Sequence, residues 1–410
     1  GRKLAKPGPW SEIGFQGALL WGACQGSGKT PYRVSVDTAG PAYKCSCPSR
    51  KFPCKHALGL LFLWAQGQIS ETGEVAAFAS EWAQARETRA AKKTAEPKEQ
   101  TEEQKAAAAK RAAQREEWVT AGLAELDRFL ADQMREGLAS HAADRPQRLE
   151  RMAARMVDAQ APGVASRLRE LATVTTGDWP AQVVDEYGSL HLLAAAWAGR
   201  DRFDPELMTT VRAHLGFTTR TDEVLTQPGV RDRWVVLGMR DADEEQVSVR
   251  RVWLWGRDTG ARALVLFFAR DGEGFDTGLY PGSELDADLH FYPGRPQLRA
   301  VVGTKHGERP SVDSWDLTGG RVADAVAELR AAVAADPWLG AWPVAIHGAL
   351  RWDERAWLVA ETAVPLAGVE VDRWRLLAEL GSQPTTIFGE LSAEGLRPTA
   401  YLQGGVARPL

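Results

Sequence analysis

Three cysteines and a histidine fall within twelve residues, Cys45-Ser-Cys47-Pro-Ser-Arg-Lys-Phe-Pro-Cys54-Lys-His56, and no other feature of the chain restricts its surroundings so tightly. The spacing is C-x-C, six residues, then C-x-H. Three thiolates and one imidazole at such spacing suit a tetrahedral zinc ion. Side chains two apart on a strand point the same way, so Cys45 and Cys47 can leave one face together where a strand ends. The loop from Pro48 to Pro53 then swings back, putting Cys54 just before a helix and His56 in its first turn. Every coordination position is taken by the protein and none is left for water or substrate. The ion is therefore expected to be structural, supplying folding free energy on the order of 10 kcal/mol to a small core.

The flanks agree with this placement. Tyr32-Arg-Val-Ser-Val36 alternates at period 2, Thr38 to Pro41 carries turn chemistry, and Ala42 to Ser46 returns. His56 to Gln66 is a helical apolar run stopped by Gly67. The stretch resembles the SWIM zinc finger, whose signature is C-x-C, a variable spacer, then C-x-H. Cys45, Cys47, Cys54 and His56 stand at its four ligand positions. Leu20-Trp-Gly-Ala-Cys-Gln-Gly-Ser-Gly28, Pro31-Tyr-Arg-Val34 and Cys45 through Leu61 are similar to bacterial SWIM proteins, and Phe291-Tyr-Pro-Gly294 extends the likeness diffusely. The resemblance implies a small ββα zinc module that binds DNA or protein. It also implies partners of the kind encoded beside bacterial members, MoxR-type AAA+ ATPases and von Willebrand A-domain proteins.

Charge separates this head from the rest. The chain of 410 residues has 50 Lys and Arg against 54 Asp and Glu. Residues 1–60 hold nine of the basic residues and only Glu12 and Asp37 of the acidic ones, about +7 against about −11 for the remainder. A basic head on an acidic body directs only the head toward a polyanion. Lys29, Arg33, Lys44, Arg50, Lys51 and Lys55 are its candidate phosphate or partner contacts. Balancing the net negative charge of a three-thiolate zinc site is the competing role for Lys44, Arg50, Lys51 and Lys55. Phe52, between the ligand pairs, is assigned to the small core.

Beyond the head, the pattern predicts a multidomain α+β chain with four parts. They are the SWIM module at 1–67, a helix and charged linker at 68–117, a helical domain at 118–229 and an antiparallel α+β domain at 230–410. Ala90 to Arg115 is almost wholly Ala, Lys, Glu, Gln and Arg without an apolar stripe, so it is a solvated helix or a linker without structure. Val119, Leu123, Leu126, Leu130, Met134 and Leu138 recur as a core-facing helical stripe. After Val230 the period turns strand-like, in Trp234–Met239, Val247–Trp255 and Ala261–Ala269. Arg321–Ala335 and Val371–Leu380 read as helices.

Other features are set aside. Gln25-Gly-Ser-Gly-Lys-Thr30 imitates the end of a P-loop, but Ala23 replaces the required glycine and an alternating strand follows, so a hairpin turn is expected. Cys24, on an apolar strand, is expected in the core. Glu284, Asp286, Asp288 and His290 alternate as a solvated face. The remaining histidines have no nucleophile or carboxylate at a telling spacing, so no enzyme is expected. The longest apolar run, Leu58 to Ala65, falls far short of the roughly 20 residues a membrane helix needs. The expectation is a cytoplasmic adaptor with one structural zinc ion. Its head would bind nucleic acid, with DNA implied by the family resemblance, and its body would recruit proteins. A purely protein-binding subunit of an AAA+ or von Willebrand A-type system is the alternative.

Overall fold

The computed structural model describes all residues except 27, 29, 39–41, 50–52, 94–100, 245–246, 271–274, 276–277, 310–318, 353–355, 369–377 and 382. The amino-terminal strands are β1 (Trp10–Gln16), β2 (Leu19–Cys24), β3 (Tyr32–Asp37) and β4 (Ala42–Cys45), joined in sequence order as one antiparallel sheet. Strands β2 and β3 pair from Leu19–Asp37 to Cys24–Tyr32, so the P-loop imitation is followed by a strand and not by a helix, as expected. Alternation sends Leu20, Cys24, Val34 and Val36 to one face, where helix α1 (Lys55–Ala65) covers them with Ala57, Leu60 and Leu63. Trp21, Ala23 and Ser35 are buried on the opposite face. Helix α2 (Ala77–Lys93) packs there, with Phe78 under the Arg33 guanidinium and Arg86 paired to Asp37. The module is thus four strands between two helices, a larger unit than two strands and a helix.

Helix α3 (Glu102–Glu136) opens on a capping box formed by Thr101 and Gln104. It runs unbroken through the position where charged linker was expected to give way to helical domain. Its first turns are exposed throughout, the solvated-helix alternative for that segment, while 94–100 lie outside the described residues. Val119, Leu123, Leu126 and Leu130 are buried as expected, but the stripe continues through Gln133, 3% exposed, while Met134 is 48% exposed. Leu138 falls beyond the helix end at Gly137. Spacing of three or four residues permits either 133 or 134, and packing selects the position one turn beyond Leu130.

Helices α4 (Arg145–Asp158), α5 (Pro162–Thr173), α6 (Trp179–Ala198) and α7 (Pro205–Leu215) complete this bundle around Met156, Leu168, Leu193 and Trp197. Trp338, which comes from far along the chain, lies in the same core and donates from Nε1 to Ser189 O at 3.0 Å. Asp336 beside it accepts from the Trp338 amide at 3.0 Å and meets His214 Nε2 at 2.9 Å.

After the short α8 (Thr221–Leu225), strands β5 (Val230–Glu244), β6 (Val247–Gly256), β7 (Arg262–Arg270), β8 (Glu284–Phe291) and β9 (Arg299–Arg309) form a closed barrel in the order β5-β6-β7-β9-β8. Every pair is antiparallel except β7 with β9, which is parallel, so the region is not wholly antiparallel as expected. This order is that of the OB-type Greek-key barrel. Helix α9 (Val322–Ala335) packs on a six-stranded sheet of β10 (Trp342–Trp352), β11 (Ala356–Val359), β12 (Ala363–Pro365), β13 (Thr385–Ser392), β14 (Gly395–Gln403) and β15 (Val406–Pro409). Val235 and Leu237 of β5 share a second core with Phe388 and Ala400 of that sheet, joining barrel to sheet. The expected helix at Val371–Leu380 lies mostly outside the described residues, and 378–380 are helical. Among the described residues no helix is long and apolar enough to cross a membrane.

Candidate metal centre

The four proposed ligands converge. Cys45 ends β4 and Cys47 follows two residues on. Cys54 is the N-cap of α1, its sulfur accepting from Ala57 N at 3.4 Å, and His56 occupies the first turn. Their ligand atoms all lie within 4.8 Å of one another, and Cys45 Sγ is 3.8 Å from His56 Nδ1. Tetrahedral zinc with sulfur at about 2.3 Å requires sulfurs about 3.8 Å apart, so the donor set has both the chemistry and the compactness for one zinc ion. Cys47, Cys54 and His56 are buried and Cys45 is partly so, which excludes bulk water from the centre.

Local sequence explains the precision. The β3–β4 register sets Val34 opposite Cys45, placing that thiol on the face toward α1. The Tyr32 ring packs on the His56 imidazole, centroids 4.8 Å apart. Neither Tyr32 nor the closeness of the amino-terminal turn was legible from the ligand spacing. Its one signal was Gly59, a glycine inside an apolar helix. A Cβ at Gly59 would stand 2.8 Å from Leu4 Cβ, so the first residues can lie against α1 only because that position is bare. Trp10 Nε1 donates to Leu4 O at 2.9 Å and fixes the same turn.

The thiols are not equivalent. A hydrogen bond from Cys45, followed by those from the Ala57 and His56 amides, lowers Cys54 to about 5 against burial. Cys45, the donor to Cys54, is pushed up by that bond and by burial, and Cys47 is raised chiefly by burial. A depressed thiol contributes stability that is complete above its ordinary value near 9 and disappears as pH falls through about 5. Zinc release, followed with a chromophoric chelator, should increase as pH falls, because protons compete with the metal for the three thiolates and the imidazole. Release indifferent to pH would contradict the ligand assignment.

The basic residues are less concentrated than their number suggested. Arg33 and Lys44 lie exposed on the sheet face that carries α2, and Lys55 is exposed at the start of α1. No carboxylate pairs with Lys44 or Lys55 among the described residues. Lys29, Arg50, Lys51 and Phe52 lie outside the described residues. Cys24 is fully buried in the module core, as expected, and burial raises its thiol. The alternating acidic row on β8 is not simply solvated. Glu284 is buried and meets Arg257 at 2.8 Å, Asp286 pairs with Arg231, and Asp288 meets His306.

Residues 32–64 match the SWIM zinc finger family, and residues 114–215 match the SWIM-associated four-helix bundle domain. The first match contains all four ligands, and the second covers α4–α7 and the carboxyl half of α3. No curated protein and no solved structure matches the chain. The likeness read from the ligand spacing is therefore shown, and it extends to the helical middle of the chain.

Proposed function

We propose that the zinc finger is a nucleic-acid-binding head, with DNA as the first candidate, and that the bundle, barrel and sheet recruit protein partners, no part acting as an enzyme. One observation supports the head most directly: Lys44 and Lys55, exposed and without carboxylate partners, neighbour Cys45, Cys54 and His56 in the basic segment of an otherwise acidic chain. A rigid zinc centre would hold their stems at fixed separation, and phosphate contacts would position the chain without reading bases. A cytoplasmic place belongs to this same reading.

A mobility-shift series over rising salt tests it. Affinity should fall with salt, and Lys44→Ala with Lys55→Ala should flatten the dependence of log K on log salt by about 1.5 to 2. Absence of binding to DNA or RNA at low salt would remove the nucleic-acid reading.

A purely protein-binding role has its own support. The solvent side of α1 exposes Phe62 and Trp64, an apolar rather than a charged face. On that reading the partner is an AAA+ ATPase or von Willebrand A-type protein, as the family resemblance implies. Co-purification would then survive nuclease and moderate salt.

A further inference from the structure

The barrel is incompletely sealed at its one parallel joint. Pairing of β7 with β9 is confined to Leu264 with Arg299 and Val265 with Ala300, Leu264 N donating to Leu298 O at 2.7 Å. Beyond these the strands part. Backbone groups alternate in direction along a strand, and the Val265–Ala300 pair already uses the Leu266 amide, so the Leu266 carbonyl and the Phe268 amide are the groups that face the gap from β7. Arg299 O is engaged by Tyr292 N on the β8 side, so Ala300 faces β7 within the last pair and Val302 faces the gap beyond it. Neither edge has a strand partner there among the described residues. The gap leads into a cavity of about 690 Å³ lined by Val265, Leu266, Phe267, Val301 and Val302, with Leu225 of α8 at one side. Phe268 stands at its mouth, 60% exposed. Arg299 lies exposed at its closed end, its guanidinium 4.4 Å from the Tyr292 ring centre and without a carboxylate partner among the described residues.

We propose that this seam takes one extended polypeptide strand from a protein partner, with apolar side chains at alternate positions and an acidic group at the end that meets Arg299. Free main-chain donors and acceptors on two facing strand edges are best answered by another backbone, which offers both at strand spacing. The apolar lining receives every second side chain, and Arg299 supplies the charge that fixes direction. A nucleic acid fits worse. Residues 230–309 carry 12 basic and 13 acidic side chains inside an acidic body. Of the outer face of the second and third strands, where OB-type barrels take oligonucleotides, the β6 side is covered, Val249 and Trp253 being buried there, and Phe268 on β7 stands exposed beside the gap. The proposal rests on the reading of the body as the partner-recruiting half, and not on what the zinc finger touches.

The test applies the full zinc-loaded chain to an array of peptides of about nine residues, with valine, leucine or isoleucine at alternate positions and an aspartate or glutamate at one end. A second array carries the same compositions shuffled. The best peptide should bind in preference to its shuffled form and slow hydrogen exchange at the Phe268 and Val302 amides. Arg299→Glu should weaken it about tenfold, as should Phe268→Pro, which removes an amide facing the gap and leaves β6 pairing in place. Phe268→Asp, at an exposed position, gives the same reading if the proline variant fails to fold. Lys44→Ala and Lys55→Ala should leave peptide affinity unchanged, and Arg299→Glu should leave any nucleic-acid shift unchanged, so the two readings fail separately. No retained peptide, or a retained peptide indifferent to Arg299→Glu and Phe268→Asp, would overturn the proposal. So would a single-stranded oligothymidylate that displaces the peptide and is itself weakened by those variants.

Discussion

Cys54→Ser is expected to lower zinc content from one ion per chain to near zero and to unfold residues 32–64 while the bundle stays intact. Serine isolates the cause. Its hydroxyl is a good N-cap, so the helix-starting role that the Cys54 sulfur plays toward Ala57 N survives the exchange. What disappears is a thiolate ligand, and with it most of an apparent metal contribution of about 10–16 kcal/mol at neutral pH. The remaining core of Leu20, Val34, Leu60 and their neighbours is small for a unit that must also order a loop between ligand pairs. Elemental analysis reads the metal and hydrogen exchange reads the fold: amides of β3, β4 and α1 should lose protection while those of α4–α7 keep it. A variant that retained one zinc would contradict the ligand assignment.

Trp338→Ala is expected to destabilise the bundle by about 3–5 kcal/mol, although residue 338 lies far outside the segment that matches the bundle family. The indole packs against α6 and α7, and its removal leaves a cavity and removes the hydrogen bond to Ser189 O. The neighbouring Asp336–His214 contact ties the same segment to the end of α7. Trp338→Phe should cost less, keeping the apolar filling and losing the Nε1 hydrogen bond. Urea unfolding followed at bundle amides measures both. An unchanged midpoint for Trp338→Ala would mean that the indole does not support the bundle.

The metal centre was readable because it is local: twelve residues hold all four ligands, and strand and helix periodicities say where each points. Helical positions were readable for the same reason, down to the ambiguity between Gln133 and Met134, which spacing cannot decide and packing does. The barrel was not. Trp234, Val252 and Leu285 each carry an ordinary strand pattern, and nothing within one strand announces that β7 will meet β9 in parallel or that β5 will return to β8. Nor could composition place Trp338, whose apolar surroundings lie more than a hundred residues earlier. The basic head was legible as a sum of charges but not as a surface, since Arg33, which counts toward that sum, spreads over Phe78 instead of standing free.

Having helices against both faces leaves the sheet of the zinc finger only a perimeter with which to meet anything large. Through Lys44 and Lys55 it can abut a nucleic acid end-on, near the ion and the lip of β4, whereas a ligand lying flat would have to lie on the outer side of a helix. An end-on footprint should therefore be short, and length of engagement would have to come from joining several chains or from the rest of this one.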